Sequence, residues 1–374
     1  MVDQLVHASP ADAVFSGRGT PPWPRPTLRH LRRLTDAYGI IQHAKDWLPD
    51  YATGYCVDDN SRALLVTAQY YRLFGGPEAH ELLLRYLNFL RSVQLLDGCV
   101  CNFVDYRRRR LEPVGSQDSM GRTLWALGQA ATFSETYLRY PAVLMLHRLL
   151  PHIAYDFSPH ALAYALLGLS AYGACSEFRV AAQHAARPLA NALLRYYTRE
   201  RADDWAWFKP ELTYANARLP QALLCAGQLL QDNECLDIGR TTLDFLRQVT
   251  IQDGVLSVIG NKGWYPRGGT QAVYDQQPID PGAMVEACLE AYRVTGDRVY
   301  FTDAVISQAW FYGRNVEGLP LYNPLSGGCC DGLCRRRVNT NQGAESVLAH
   351  LLAQLACYAV APDYFSTAED VTAH

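Results

Sequence analysis

The sequence repeats itself at long range. Residues 60–103 laid over residues 216–259 without a gap place Asn60-Ser61-Arg62 on Asn216-Ala217-Arg218. Leu73 then faces Leu229, Glu78 faces Glu234, Leu87 faces Leu243 and Val93 faces Val249. Phe89-Leu90-Arg91 falls on Phe245-Leu246-Arg247, and Asp97-Gly98 on Asp253-Gly254. Matches held in register over this length mark a duplicated structural unit. The unit reads as polar loop, helix, short turn, helix, then an Asp-Gly hairpin turn.

Periodicity divides the chain into about twelve helical segments of two alternating kinds. One kind is apolar nearly all round and rich in small residues: 59–74, 119–133, 158–173, 214–230, 280–295 and 342–358. The other is amphipathic with charged faces: 28–37, 78–94, 139–152, 178–198, 232–249 and 298–313. A helix hydrophobic on every side is buried, whereas an amphipathic one faces solvent along one stripe. Six buried helices alternating with six half-exposed ones describe an all-α closed double ring, the (α/α)6 toroid of six helical hairpins. Short β-hairpins are expected in the loops at Cys99–Val104 and Val255–Ile259. The expected organisation is an irregular Pro-rich N-terminal arm over 1–26, a single toroid domain over 27–361 and a C-terminal tail over 362–374.

Charge and cysteine content narrow the partners. The 34 basic and 37 acidic side chains leave a formal net charge of -3. That offers no field for gripping phosphates, so no nucleic-acid partner is expected. No apolar run reaches the ~18 residues of a membrane span, and the N-terminal segment lacks a basic region followed by an apolar one. Neither a membrane span nor a Sec signal is expected. The eleven cysteines are odd in number, and Cys225, Cys288 and Cys357 lie in apolar helical runs. They read as reduced thiols of a cytoplasmic protein.

The loops entering the buried helices carry the candidate chemistry. In a toroid the inner helices run parallel, so six N-termini open at one mouth, where their dipoles favour ionised acids. N-capping is the ordinary role of Asp, Asn or Ser before an apolar run, and the repeat supplies a control. The second copy has Tyr214-Ala215 opposite Asp58-Asp59, so a helix of this kind starts without those two acids. Asp58, Asp59, Asp275, Asp280 and Glu345 are the candidate catalytic carboxylates. Arg62, Asp118, Trp207, Tyr214, Asn216, Arg218, Trp264, Gln276, Asp331 and Asn341 are the candidate ligand-binding residues. Aromatic rings beside carboxylates, amides and Arg suit a sugar, with its apolar ring faces and rim of hydroxyls.

Other chemistries make demands that this chain does not meet. A zinc site needs Cys and His ligands, and Cys329-Cys330-x-x-x-Cys334 has no nearby His in sequence. No metal is expected. Gly-Gly at 75–76 and 268–269 lacks the context of a phosphate loop, and no cofactor is expected. Asp58-Asp59 echoes the Asp-rich box of terpene cyclases, but the surrounding Asn, Gln and Arg are too polar for a hydrocarbon substrate.

The strings DDNSRAL, QDSMGRTLWALG, LTYANARLPQALL, IGNKGW, DQQPIDPGAMVEAC and GGCCDGL…NTNQGAES resemble bacterial six-hairpin glycosidase-like proteins over about 40–361. The resemblance implies an (α/α)6 barrel, an oligo- or polysaccharide ligand and an association with glycosyltransferases and other polysaccharide enzymes. Related sequences carry an acid where Gln117 stands and Glu where Lys209 follows Trp207-Phe208.

The leading expectation is an enzyme that cleaves a glycosidic bond, by hydrolysis or phosphorolysis. Such cleavage needs one protonated carboxyl and one ionised partner, ~6.5–9.5 Å apart for inversion or ~5–5.5 Å for retention. Inversion is expected, since a wide ring leaves room for water. Asp58 or Asp59 is expected to face Asp275, Asp280 or Glu345. A sugar epimerase is the first rival; it calls for paired His bases, for which only His160 and His43 are near the loops. A non-catalytic glycan-binding subunit of a polysaccharide synthesis system is the second, favoured by Gln117 and Lys209.

Overall fold

Where a polar loop gives way to an apolar run, a helix begins. The computed structural model describes residues 23–361, within which twelve α-helices alternate between an outer and an inner layer. They are α1 (Arg29–Leu34), α2 (Val57–Phe74), α3 (Pro77–Val93), α4 (Gln117–Ala130), α5 (Thr136–Leu149) and α6 (Pro159–Tyr172). There follow α7 (Arg179–Glu200), α8 (Arg218–Leu230), α9 (Asn233–Thr250), α10 (Ile279–Thr295), α11 (Arg298–Ala309) and α12 (Ala344–Val360). The even-numbered helices form the inner ring, each packed on the next, and α12 closes onto α2. The odd-numbered helices clothe them, α3 on α2 and so round to α1 on α12. This is the (α/α)6 toroid, and its apolar inner helices and amphipathic outer ones follow the two sequence classes. The two repeat copies lie three hairpins apart, which sets α2 and α8 on opposite sides of the ring.

Small residues set how closely the inner helices approach. Gly128 of α4 and Gly168 of α6 face each other so tightly that a Cβ on Gly128 would lie 2.1 Å from the Gly168 carbonyl oxygen. One on Gly168 would come within 2.6 Å of the Leu124 carbonyl. Among the described residues no helix is long and apolar enough to cross a membrane.

Strand pairs decorate the loops. Ile251–Gln252 and Val255–Leu256 form the expected hairpin, its turn made by Asp253 and Gly254 at φ 51° and 72°. The other expected hairpin is replaced by a different pairing. Phe103–Val104 runs antiparallel to Tyr55–Cys56, and the Asp97-Gly98 turn closes only the bridge between Gln94 and Val100. The reason lies at the start of α2, whose Cys56 N-cap makes no side-chain capping bond. Asn102 supplies the missing acceptors: its carbonyl takes the Val57 N–H at 2.8 Å and its Oδ1 takes the Asp58 N–H at 3.4 Å. Residues 1–22 of the expected arm and the tail 362–374 lie outside the described residues. The end of the arm packs on the barrel, with Trp23 stacked on Tyr312 at 5.8 Å.

Candidate active site

Four of the inner helices carry an acid as their second residue: Asp58 on α2, Asp118 on α4, Asp280 on α10 and Glu345 on α12. None of these four is an N-cap. The capping side chains are Ser116 and Ser158, which accept the N–H groups of Ser119 and Ala161. The capping explanation therefore does not account for the acids. Three of them, Asp58, Asp118 and Glu345, line one cleft of about 700 Å³ together with Tyr214, Trp264 and Gln277. All six inner helices contribute to its wall from their N-terminal ends, Ser158 for α6, Tyr214 for α8 and Ile279 for α10. A smaller lobe of about 220 Å³ shares Gln277 and Glu345 with the cleft and adds His43, Asp275 and Asp331.

Two arginines hold the acids in place. Arg62, one turn on from Asp58, lies 2.6 Å from Asp59 Oδ1 and 3.1 Å from Glu345 Oε2. Arg122, one turn on from Asp118, lies 3.2 Å from Asp58 Oδ1 and 3.9 Å from Asp118 Oδ2. Its guanidinium also donates to the Tyr164 hydroxyl at 2.8 Å. Asp118 further accepts the Tyr214 hydroxyl at 2.6 Å, and Tyr214 stacks on His160 with centroids 4.5 Å apart. Four carboxylates thus share two guanidinium groups. The mouth therefore carries a surplus of acidic over basic side chains.

Asp59 is where burial acts most strongly. It is 3% exposed and lines neither cavity. Desolvation pushes its pKa up to about 6; Arg62 opposes the shift and Glu345 adds to it. The unfolded chain releases this proton near 3.8, whereas the folded protein holds it to about 6. Stability therefore falls as pH rises between those values, by about 3 kcal/mol once both states are ionised. The melting temperature of the wild type is expected to drop relative to Asp59→Asn from about pH 4 to about pH 7. A difference that stays constant over that range would show that Asp59 does not titrate there.

The remaining candidates divide by position. Tyr214 and Trp264 reach the cleft, their rings 6.5 Å apart. Asp275 lies in the smaller lobe, 3.1 Å from Lys262 Nζ. Asp331 also borders that lobe, but its Oδ1 is taken at 2.8 Å by both the Gly343 N–H and the Ser346 hydroxyl, so it braces the start of α12. Asp280, expected at the mouth, is instead buried against the start of α8. The backbone N–H groups of Asn216 and Ala215 face its carboxyl, and desolvation raises its pKa.

Five further expectations of sugar contact give way to structural roles. Trp207 is wholly buried, edge-on to Phe208, so it offers no stacking face. Gln276 is equally buried and bonds Trp310 Nε1 and Ser257 Oγ. Asn216 spends its amide on both backbone groups of Thr213. Asn341 Oδ1 accepts the Asp46 N–H at 3.0 Å. Arg218 lies inside the barrel, bonded to Glu286 and to Gln221. Arg62 is buried as well and acts on the cleft through the acids it pairs.

Arg122, Tyr164 and Gln277 belong to this site although none is among the sequence candidates. The spacing Asp118-x-x-x-Arg122, which parallels Asp58-x-x-x-Arg62, was the signal that could have found Arg122. Gln117 accepts the Ser158 N–H at 2.8 Å, supporting the start of α6 from the cleft wall. Lys209 Nζ lies 3.1 Å from Thr213 Oγ1, and burial lowers its pKa.

No protein-family model and no curated protein matches the chain. Solved structures do. A D-mannose isomerase superposes with a TM-score of 0.70 at 15% identity, over 90% of this chain and 94% of that one. The cellobiose 2-epimerase of Bacillus thermoamylovorans gives a TM-score of 0.66 at 11% identity, over 88% and 96%. An alpha-1,6-mannanase of a Salegentibacter species gives a TM-score of 0.57 at 12% identity, over 89% and 96%. That structure is an inactive variant with two adjacent aspartates changed to asparagine, in complex with alpha-1,6-mannotriose. The likeness is one of fold. At these identities the site has to be argued from its own residues.

Proposed function

We propose that this protein is a carbohydrate-active enzyme that cleaves a glycosidic bond in the mouth cleft by carboxylate acid/base catalysis. The observation that carries the reading is the convergence of Asp58, Asp118 and Glu345, from three different inner helices, on one sugar-sized cleft with two aromatic walls. Glycosidic cleavage asks for a protonated carboxyl at the leaving oxygen and an ionised one at the reacting carbon or its water. Asp58 and Glu345 are the pair on adjacent inner helices, each held by an arginine from behind and open to the cleft in front. Asp118, bound by Tyr214 and Arg122, accepts sugar hydroxyls in this reading. Tyr214 and Trp264 offer ring faces, and Gln277 spans both lobes, so that a chain crossing Glu345 would place sugar units on either side.

Sugar epimerisation is the second reading, and the neighbouring isomerase and epimerase structures support it equally. The ionisable groups favour cleavage. No histidine lines the larger cleft among the described residues. His160 Nε2 is bonded to the Tyr214 carbonyl oxygen, with its pKa pushed by burial down to about 4. His350 Nε2 is bonded to the Tyr312 hydroxyl, with its pKa pushed down to about 3.

The test incubates the protein with gluco- and manno-oligosaccharides of several linkages, with and without phosphate, and follows anomeric and C2 proton signals by NMR. Cleavage predicts new reducing ends, or sugar 1-phosphates when phosphate is required. A C2 epimer or a ketose with intact linkages would replace this reading by the second one.

A further inference from the structure

The toroid has a second opening. At the C-terminal ends of the inner helices lies a cavity of about 680 Å³, as large as the mouth cleft and walled by all six of those helices. Between the two cavities the lumen is filled by a column of stacked groups. The Arg122 guanidinium lies 4.5 Å over the Tyr164 ring, Tyr164 stacks on Trp125 at 6.1 Å, and Arg218 lies 4.8 Å over Trp125. Glu286, paired with Arg218 behind it, completes the floor of this second cavity.

The polar groups on its wall are unevenly spent. Arg293 is matched by Glu290 and Gln228, Arg72 by Gln129 and Thr132, and Glu286 by Arg218 from behind the wall. Trp125 and Gln221 are both more than nine-tenths buried and both line the cavity. Gln221 gives its Oε1 to Arg218. Among the described residues neither Gln221 Nε2 nor the Trp125 indole N–H finds an acceptor. Both residues keep a little exposed surface and border the cavity. Gln69 and the amide groups of Gln129 and Gln228 add neutral donors and acceptors.

Charge at this end favours hydroxyl donors over anions. Six helix C-termini turn their last carbonyl oxygens and the negative ends of their dipoles to the rim, where Gln129, Leu229 and Leu230 already accept from Arg72, Gln183 and Arg187. The guanidinium groups of Arg72 and Arg293 are occupied by the partners named above, and Arg179 stands exposed at the edge. Uncharged hydroxyls can donate to these carbonyls and to Glu286, and accept from Gln221 and Trp125.

We propose that this cavity is a second, non-catalytic site for a neutral polyhydroxylated ligand of mono- or disaccharide size. The inference does not depend on what the mouth cleft does. The full chain is titrated calorimetrically with mannose, glucose, mannobiose and cellobiose, as wild type, as the mouth variant Glu345→Gln, as Trp125→Phe and as Gln221→Glu. Trp125→Phe removes the indole N–H but keeps the ring, and Gln221→Glu removes the amide donor but keeps the acceptor for Arg218. At least one sugar is expected to bind Glu345→Gln, and each far-end substitution is expected to weaken that binding about three- to ten-fold.

Hydrogen exchange of the wild type saturated with that sugar is expected to slow over 221–229 and 286–293. It keeps the proposal testable should a variant fold poorly. Absence of binding in Glu345→Gln and of far-end protection in the wild type would overturn the proposal. So would binding to well-folded Trp125→Phe and Gln221→Glu at unchanged affinity.

Discussion

Asp58→Asn and Glu345→Gln are each expected to lower turnover about 10²–10⁴-fold, the range that positioned acid/base groups supply, while the fold survives. Both acids line the cleft, and each amide keeps the shape of the side chain it replaces. The substitution removes the charge facing Arg122 or Arg62, whose other carboxylate partners, Asp118 and Asp59, remain. The measurement is kcat for release of reducing ends, with circular dichroism confirming the fold. Asp118→Asn is expected to raise KM more than it lowers kcat, because Asp118 is committed to Tyr214 and Arg122. Turnover unchanged in both Asp58→Asn and Glu345→Gln would remove the mouth cleft as the seat of catalysis.

The second large effect is on stability. Arg218 and Glu286 are 4% and 6% exposed and face each other across the lumen between α8 and α10. Glu286→Leu strands a buried guanidinium with only Gln221 and the Trp125 ring for company, and is expected to cost about 3–5 kcal/mol in chemical denaturation. The double variant Arg218→Met/Glu286→Leu removes both charges and is expected to recover most of that loss, since a buried pair replaced by apolar groups of similar size is often near neutral. The same series tests the role of Arg218. A sugar ligand would show in KM on removing Arg218, with little change in stability. A core pair shows the reverse, together with a strong non-additivity between the two positions.

Much of the ring was legible because its signals are local and repeated. Helix class, order and approximate bounds follow from periodicity, since burial on all sides demands apolar residues at every helical position. The 156-residue repeat, Asn60 against Asn216, even places opposite walls of the toroid. Where two segments compete for the same backbone groups, local signals fail. The Asp97-Gly98 turn predicts a hairpin, but the uncapped start of α2 takes the following strand for itself.

What the sequence determined by itself, then, is the ring and the crowding of acids at one mouth, because helix period and the parallel run of inner helices require both. Which acids see the cleft was decided only by tertiary packing. Asp58, Asp118, Asp280 and Glu345 occupy the same second helical position, and no sequence rule separates them. Neighbouring groups do so: Arg122 and Arg62, each from the adjacent inner helix, hold Asp58 and Glu345 to the lumen, while backbone N–H groups before α8 draw Asp280 out of it. Arg62 and Arg218 are matched by the repeat, yet one serves the mouth and the other the floor. Their partners come from α12 and α10, far away in the chain, and only the closed ring brings those within reach.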